Sequence, residues 1–120
     1  MSSISSYKDL LIWKKGIVIV VKVYQLTKAF PSEELYTLTS QIKRASVSIP
    51  SNIAEGSSIN SNKDFSRFLE IAIGSAYEIE TQLLISSDLG FLKDDKLKDL
   101  SIQLEEIIKM TSKFRSTLKI

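Results

Sequence analysis

Residues 10–24, LLIWKKGIVIVVKVY, decide the fold. The centre of this stretch, Ile17 to Val21, is an unbroken β-branched run that would suit a buried strand. Read as a strand, it makes the protein a mixed α and β chain. The flanks argue otherwise. Leu10, Trp13, Ile17, Val20 and Tyr24 recur at three- and four-residue spacing across the whole stretch, a period that strand alternation does not give. The stretch therefore reads as a long amphipathic helix.

The same period continues along the chain. Leu38, Ile42, Ala45, Ile49 and Ile53 form an apolar stripe in a second helix, and Phe65, Phe68, Leu69, Ala72, Ala76, Ile79 and Leu83 form one in a third. Leu97, Leu100, Leu104, Ile107, Ile108 and Met110 supply a fourth. With two prolines and four glycines, the breaks are few. Phe30-Pro31-Ser32 ends the first helix, with Ser32 expected to cap the second and Glu33 and Glu34 suited to its positive end. Gly56 is expected to close that helix in the left-handed conformation, and Gly90 to follow the third. Ser6 with Asp9 and Ser61 with Asp64 have capping-box spacing, and Asp94 is expected to cap the last helix. The expected helices span approximately 7–29, 32–55, 62–89 and 94–118, within one domain, 1–120. Long helices joined by short loops predict an all-α, antiparallel up-down-up-down four-helix bundle.

The second helix carries more than a core stripe. Gln41, Arg44, Ser48, Asn52 and Glu55 make a polar stripe beside it, spaced to line one flank. Pro50 lies inside the same helix and removes a backbone donor, so a kink is expected there. The stripe either pairs with a neighbouring helix or protomer, or it meets a ligand. Arg44, with its bidentate fork, suits both roles.

Composition narrows the function. Apolar content of 43% with 25% charged residues is ordinary for a globular chain. With no cysteine and no histidine, thiolate chemistry, disulfides, the commonest general base and the usual zinc ligands are excluded. Glu55, Glu78 and Glu80 are the carboxylates whose helical positions allow them to converge, and nothing supplies them with a metal or a base. A non-enzyme with no cofactor is expected. The N-terminus lacks the order of a secretory signal, and the apolar run 17–23 is far too short to cross a membrane, so the expected location is cytoplasmic.

Helix 1 has a second apolar row, Ile12, Gly16, Ile19 and Val23, nearly opposite Trp13, Ile17 and Tyr24. One bundle core covers one side of a helix, so this row is expected to form an oligomer interface, with Gly16 admitting a second backbone.

Charge placement adds a second expectation. In the predicted topology, one end of the bundle and its approach hold Lys8, Lys14, Lys15, Arg44, Lys63, Arg67, Lys109, Lys113, Arg115 and Lys119. These are opposed there by Asp9, Glu55, Asp64 and Glu70. The formal net charge of +2 thus conceals a basic end and an acidic end. Lys14, Lys15, Arg67, Lys109, Lys113, Arg115 and Lys119 are the candidates for contact with RNA or DNA. A cation near a helix C-terminus also interacts favourably with the dipole, so these charges have a structural reading as well. No recognition helix, aromatic stacking platform or glycine-rich phosphate loop is legible, so any binding is expected to the backbone.

QIKRASVSIPSNIAEG at 41–56 and KDFSRFLEIAIGSAYEIET at 63–81 together resemble the four-helix-bundle proteins of the 23S rRNA intervening-sequence family. DLLIWKK, LTKAFPSEELYTL and LGFL support the resemblance, which runs from Asp9 to the last turn of helix 4. It implies a homo-oligomer, a ring of five, with no enzymatic activity. It also implies kinship with a basic accessory protein of diversity-generating retroelements, which binds nucleic acid and a reverse transcriptase. Those relatives are more basic than this chain. The runner-up function is an oligomeric protein-interaction scaffold with no nucleic-acid role.

Overall fold

The computed structural model describes residues 6–120; residues 1–5, the head of the expected domain and of the N-terminal reading, lie outside the described residues. Four α-helices make the fold: α1 (Leu11–Thr27), α2 (Leu38–Ser58), α3 (Asn62–Asp88) and α4 (Asp94–Ser116). Each helix packs on its neighbours in sequence, and α1 closes the square against α4. Ion pairs from Lys15 to Glu106 and from Lys22 to Asp99 show α1 and α4 running antiparallel. The result is an up-down-up-down bundle with extents of 48 × 24 × 21 Å.

The core is the inner row of each helix. The stripes expected for α2, α3 and α4 supply it: Ile42, Ile49, Ile53, Leu69, Ile79, Leu83, Leu100, Leu104 and Ile107 are all at most 1% exposed. In α1 the two apolar rows exchange roles. Ile12, Gly16, Ile19 and Val23 face the core, with Ile19 and Val23 fully buried, so the expected oligomer interface is part of the protomer's interior. Of the row expected inside, Leu10 is buried, Trp13 and Val20 are half-buried, and Ile17 and Tyr24 are exposed. The reason is steric. A Cβ on Gly16 would lie 3.3 Å from Ile49 Cγ2 and 3.4 Å from Pro50 Cβ, so α1 approaches α2 along its slim, glycine-bearing row. Trp13 on that side would hold the helices apart.

Pro50 is buried in that contact, and α2 continues through it as a helix. Its ring packs against the α1 backbone. Its missing N–H deprives the Ser46 carbonyl of the usual helical donor. The fully buried Ser46 hydroxyl turns to the Lys43 carbonyl at 2.7 Å.

Several expected boundaries move. Tyr7–Asp9 is a separate 3₁₀ turn capped by Ser6, and α1 begins after Leu10. Ser32 opens another 3₁₀ turn instead of capping α2, which begins after Thr37. Thr37 has no capping bond of its own; its hydroxyl bonds the carbonyl and carboxylate of Glu34. Asp94 is the first residue of α4, with Lys93 at the cap position, so its carboxylate acts on the positive helix end without capping it. Gly56 is also not a left-handed cap. It is buried inside α2, where a Cβ would lie 2.8 Å from both Phe65 Cδ1 and Phe68 Cβ. Gly90 does take the left-handed conformation, at φ 81°. Its N–H bonds the Ser87 carbonyl at 3.0 Å and that of Phe91 bonds Ser86 at 2.9 Å, which is a Schellman ending for α3.

Candidate nucleic-acid and assembly surfaces

The polar stripe of α2 lies along its seam with α3. Of its inner members, Ser48 bonds across to α3 and Asn52 bonds back to Ser48. Ser48 and Ser75 hydroxyls meet at 2.8 Å, and Asn52 Nδ2 donates to the Ser48 carbonyl at 2.7 Å and to its hydroxyl at 2.9 Å. The outer members, Gln41, Arg44 and Glu55, are exposed. Gln41 and Arg44 join Ser48, Ser75 and Glu78 around a shallow groove of about 300 Å³. On α3, Gln82 donates to Glu78 at 3.1 Å while its own carbonyl oxygen is buried without a partner among the described residues, as is the Thr39 hydroxyl. The stripe is thus half a structural seam and half a wetted flank.

The bundle end formed by the start of α1, the end of α2, the start of α3 and the end of α4 carries most of the expected cations. They divide into two groups. Lys15 pairs with Glu106, and Arg67 lies 3.6 Å from Asp64. Arg115 is the most committed: its Nη2 is 2.9 Å from Glu70, and its Nε donates to the Ser66 hydroxyl at 2.8 Å and carbonyl at 3.2 Å. That side chain is a brace from α4 to α3. Lys14, Lys109, Lys113 and Lys119 are exposed and form no ion pair among the described residues. Lys113 also stands, with Asp9, beside a mostly apolar groove between Leu10, Leu11 and Ile12 and the α4 residues Met110 and Phe114.

Arg44 does not belong to that end. It sits in the first half of α2, in a groove of about 610 Å³ with Tyr24, Leu35, Tyr36, Ser40, Lys43, Val47 and Ser48. The Lys43 ammonium lies 4.8 Å from the Tyr24 ring centroid. Tyr36 is 89% exposed. This aromatic and cationic cluster was not legible in the sequence. Tyr24 and Lys43 are far apart in the chain, and only the antiparallel register fixed by Gly16 and Pro50 brings them together. The adjacent Lys43 and Arg44, seven residues beyond an unburied tyrosine, are the local signal that could have found it.

A fourth surface is the outer side of α1. Leu11 (68%), Val18 (46%) and Val21 (49%) are exposed there, beside Ile17. A helix buried on one side and apolar on the other presents a face suited to another chain. α1 is apolar on two sides, but its outward side is a face of Leu11, Ile17, Val18 and Val21, not the row expected to form the interface.

The Lys22 ammonium and, after it, the Gln103 amide hydrogen-bond the Asp99 carboxylate and hold it below the usual carboxylate range. Among the described residues no group of three or more acidic side chains could hold a metal ion, and no helix is long and apolar enough to cross a membrane.

Comparison with known proteins agrees with this architecture. The family model described as 23S rRNA-intervening sequence protein matches residues 8–113. A crystal structure from Bacteroides thetaiotaomicron, described as a protein with unknown function from the S23 ribosomal protein family, is similar with a TM-score of 0.81. It is 24% identical, over 88% of this chain and 98% of that one, a likeness that speaks for the fold alone. No curated protein matches.

Proposed function

The chain belongs to the 23S rRNA-intervening sequence protein family, and from that premise we propose that it is a non-enzymatic homo-oligomer that binds RNA or DNA through its basic end. The observation that carries this reading is the gathering of Lys14, Lys109, Lys113 and Lys119 at one end, exposed and without ion pairs among the described residues. An ammonium with no carboxylate partner releases counterions when it meets phosphate, and that release drives non-specific nucleic-acid binding.

Assembly multiplies the effect. The outer face of α1, where Leu11, Val18 and Val21 are exposed, is the surface that supports self-association. Copies arranged in a ring of five would align their basic ends and sum their fields. Lys15, Arg67 and Arg115 have carboxylate partners and serve the protomer first. The absence of histidine and cysteine supports a binding role over a catalytic one.

The test is a titration of structured RNA and of duplex DNA with the purified protein at low and physiological salt. Binding should weaken steeply with salt, with a slope in log K near −0.9 for each phosphate neutralised on duplex DNA. Lys109→Glu with Lys113→Glu should abolish it. Binding that ignores both salt and these substitutions would remove the basic end from consideration and favour the protein-scaffold reading.

A further inference from the structure

We infer that the groove between α1 and the start of α2 holds an unpaired base of a single-stranded nucleic acid, stacked on Tyr36 and Tyr24 with its phosphate on Arg44 and Lys43. This rests on the nucleic-acid reading above but concerns a different surface, at the other half of the bundle.

None of the groove's lining residues is acidic, while two adjacent ones are cations. Arg44 is exposed; it shares its other groove with Glu78 but forms no ion pair with that or any other carboxylate among the described residues, so its guanidinium fork is open to an anion. Apolar lining alone would suit any hydrophobic segment; the paired cations select an occupant that is anionic as well.

The aromatic content then selects for a ring. Tyr36 is 89% exposed, so nothing in the protomer uses its face. Tyr24 is 42% exposed and already carries the Lys43 ammonium 4.8 Å from its ring centroid. Leu35 and Val47 supply apolar floor, and Ser40 a hydroxyl. Exposed aromatic faces interleaved with cations are the elements of a single-strand platform, because every base has a π-face and every nucleotide a phosphate. A duplex cannot use it, since its bases are already stacked. The volume of about 610 Å³ is in the range of small-molecule sites and admits a nucleotide.

The experiment compares one oligonucleotide carrying 2-aminopurine as a single strand and as a duplex with its complement, each titrated with the full chain at low salt. The single strand should bind about tenfold more tightly, with quenching of the 2-aminopurine as it stacks. Tyr36→Ala, at a position with almost no burial to disturb the fold, should remove the quench and weaken single-strand binding about tenfold, leaving duplex binding unchanged. Arg44→Gln should weaken the single strand and retain the quench at saturation.

Equal affinity for both forms with Tyr36→Ala silent would overturn the inference. The basic-end reading would survive if Lys109→Glu with Lys113→Glu still abolished both. A fall in mass by light scattering on Tyr36→Ala would also overturn it, marking the groove as a contact between copies. No binding of either form by the unaltered protein would overturn both readings together.

Discussion

Gly16 of α1 faces Pro50 of α2 so closely that a single added carbon would sit 3.4 Å from the proline ring at both Cβ and Cδ. The pair explains why a helix-breaker persists in the middle of α2. The proline ring fills the space that glycine vacates, and the two helices approach at the position where the ladder of backbone bonds is already interrupted. Gly16→Val would force bulk into this contact. Overpacking of this kind costs about 1–3 kcal/mol, more than the few tenths that valine gains over glycine in helix propensity. The urea midpoint should fall with little change in slope.

Gly56 and Gly74 should respond to alanine with opposite signs. At Gly56 the new Cβ would meet Phe65 and Phe68 at 2.8 Å, closer than packed carbons tolerate, and α2 would have to move from α3. At Gly74, exposed in the middle of α3, no atom lies within 4 Å of that Cβ. Gly74→Ala should therefore stabilise the protein by up to about 1 kcal/mol through helix propensity, while Gly56→Ala should destabilise it by about 1–3 kcal/mol. Thermal unfolding of the two variants side by side is a sufficient check; equal shifts would show that the α2–α3 contact is slack.

Arg115 and Lys113 should separate structure from binding. Arg115→Ala removes the brace to Glu70 and leaves the Ser66 hydroxyl, on a residue only 4% exposed, without its donor. Loss of such a partner costs about 1–3 kcal/mol, visible in chemical denaturation. Lys113→Ala, at an exposed position without an ion pair among the described residues, should change stability by less than about 0.5 kcal/mol. Nucleic-acid affinity should follow Lys113.

How much of this was legible in the sequence depended on whether a helix offers one apolar row or two. In α2, α3 and α4 the polar residues between Ile42, Ile49 and Ile53, or between Leu100, Leu104 and Ile107, leave a single answer, and those rows are the core. In α1 the β-branched run makes both rows apolar, and size misleads. Trp13 and Tyr24 look like core anchors, yet the side that packs is the one where Gly16 lets α2 in. Gly56 misled for a related reason: a glycine before a serine-rich stretch resembles a helix end, but its missing side chain serves a helix–helix contact. The cluster of Tyr24, Tyr36, Lys43 and Arg44 is a product of tertiary register, which periodicity within one helix does not encode. Arg44 was drawn to the basic end by the polar stripe it shares, whereas its place along α2 puts it with the tyrosines.

Asp99 gives the pH dependence its sign. Its folded carboxyl is held below the usual range by hydrogen bonds from Lys22 and Gln103, so folding favours the charged form. That contribution is fully present above the unfolded carboxylate value and is lost as pH falls through the lower, folded one. The pair is exposed, so salt should weaken it. In carbon-detected NMR titration, Asp99 should show a depressed midpoint that rises towards the ordinary value in Lys22→Ala. An unmoved midpoint would mean that the ion pair does not persist in solution.

The buried row and the exposed outer face of α1 allow assembly to be separated from folding by a single choice of residue. Ile19 is fully buried, and a glutamate there would place a charge in the core with no partner, so Ile19→Glu should unfold the protomer outright. Val18 and Val21 are 46% and 49% exposed, and glutamates there need not be desolvated in a lone protomer. Val18→Glu with Val21→Glu should therefore keep the helical circular dichroism and unfolding cooperativity of the parent, while the mass from light scattering falls to that of one chain. Two charges trapped in a face between copies would cost several kcal/mol each, enough to dissociate an assembly held by that face. If the mass were instead unchanged, the copies must meet elsewhere. The exposed apolar residues of α3 and α4, Ile71, Tyr77, Leu84 and Ile102, would be the next to receive the same pair of substitutions.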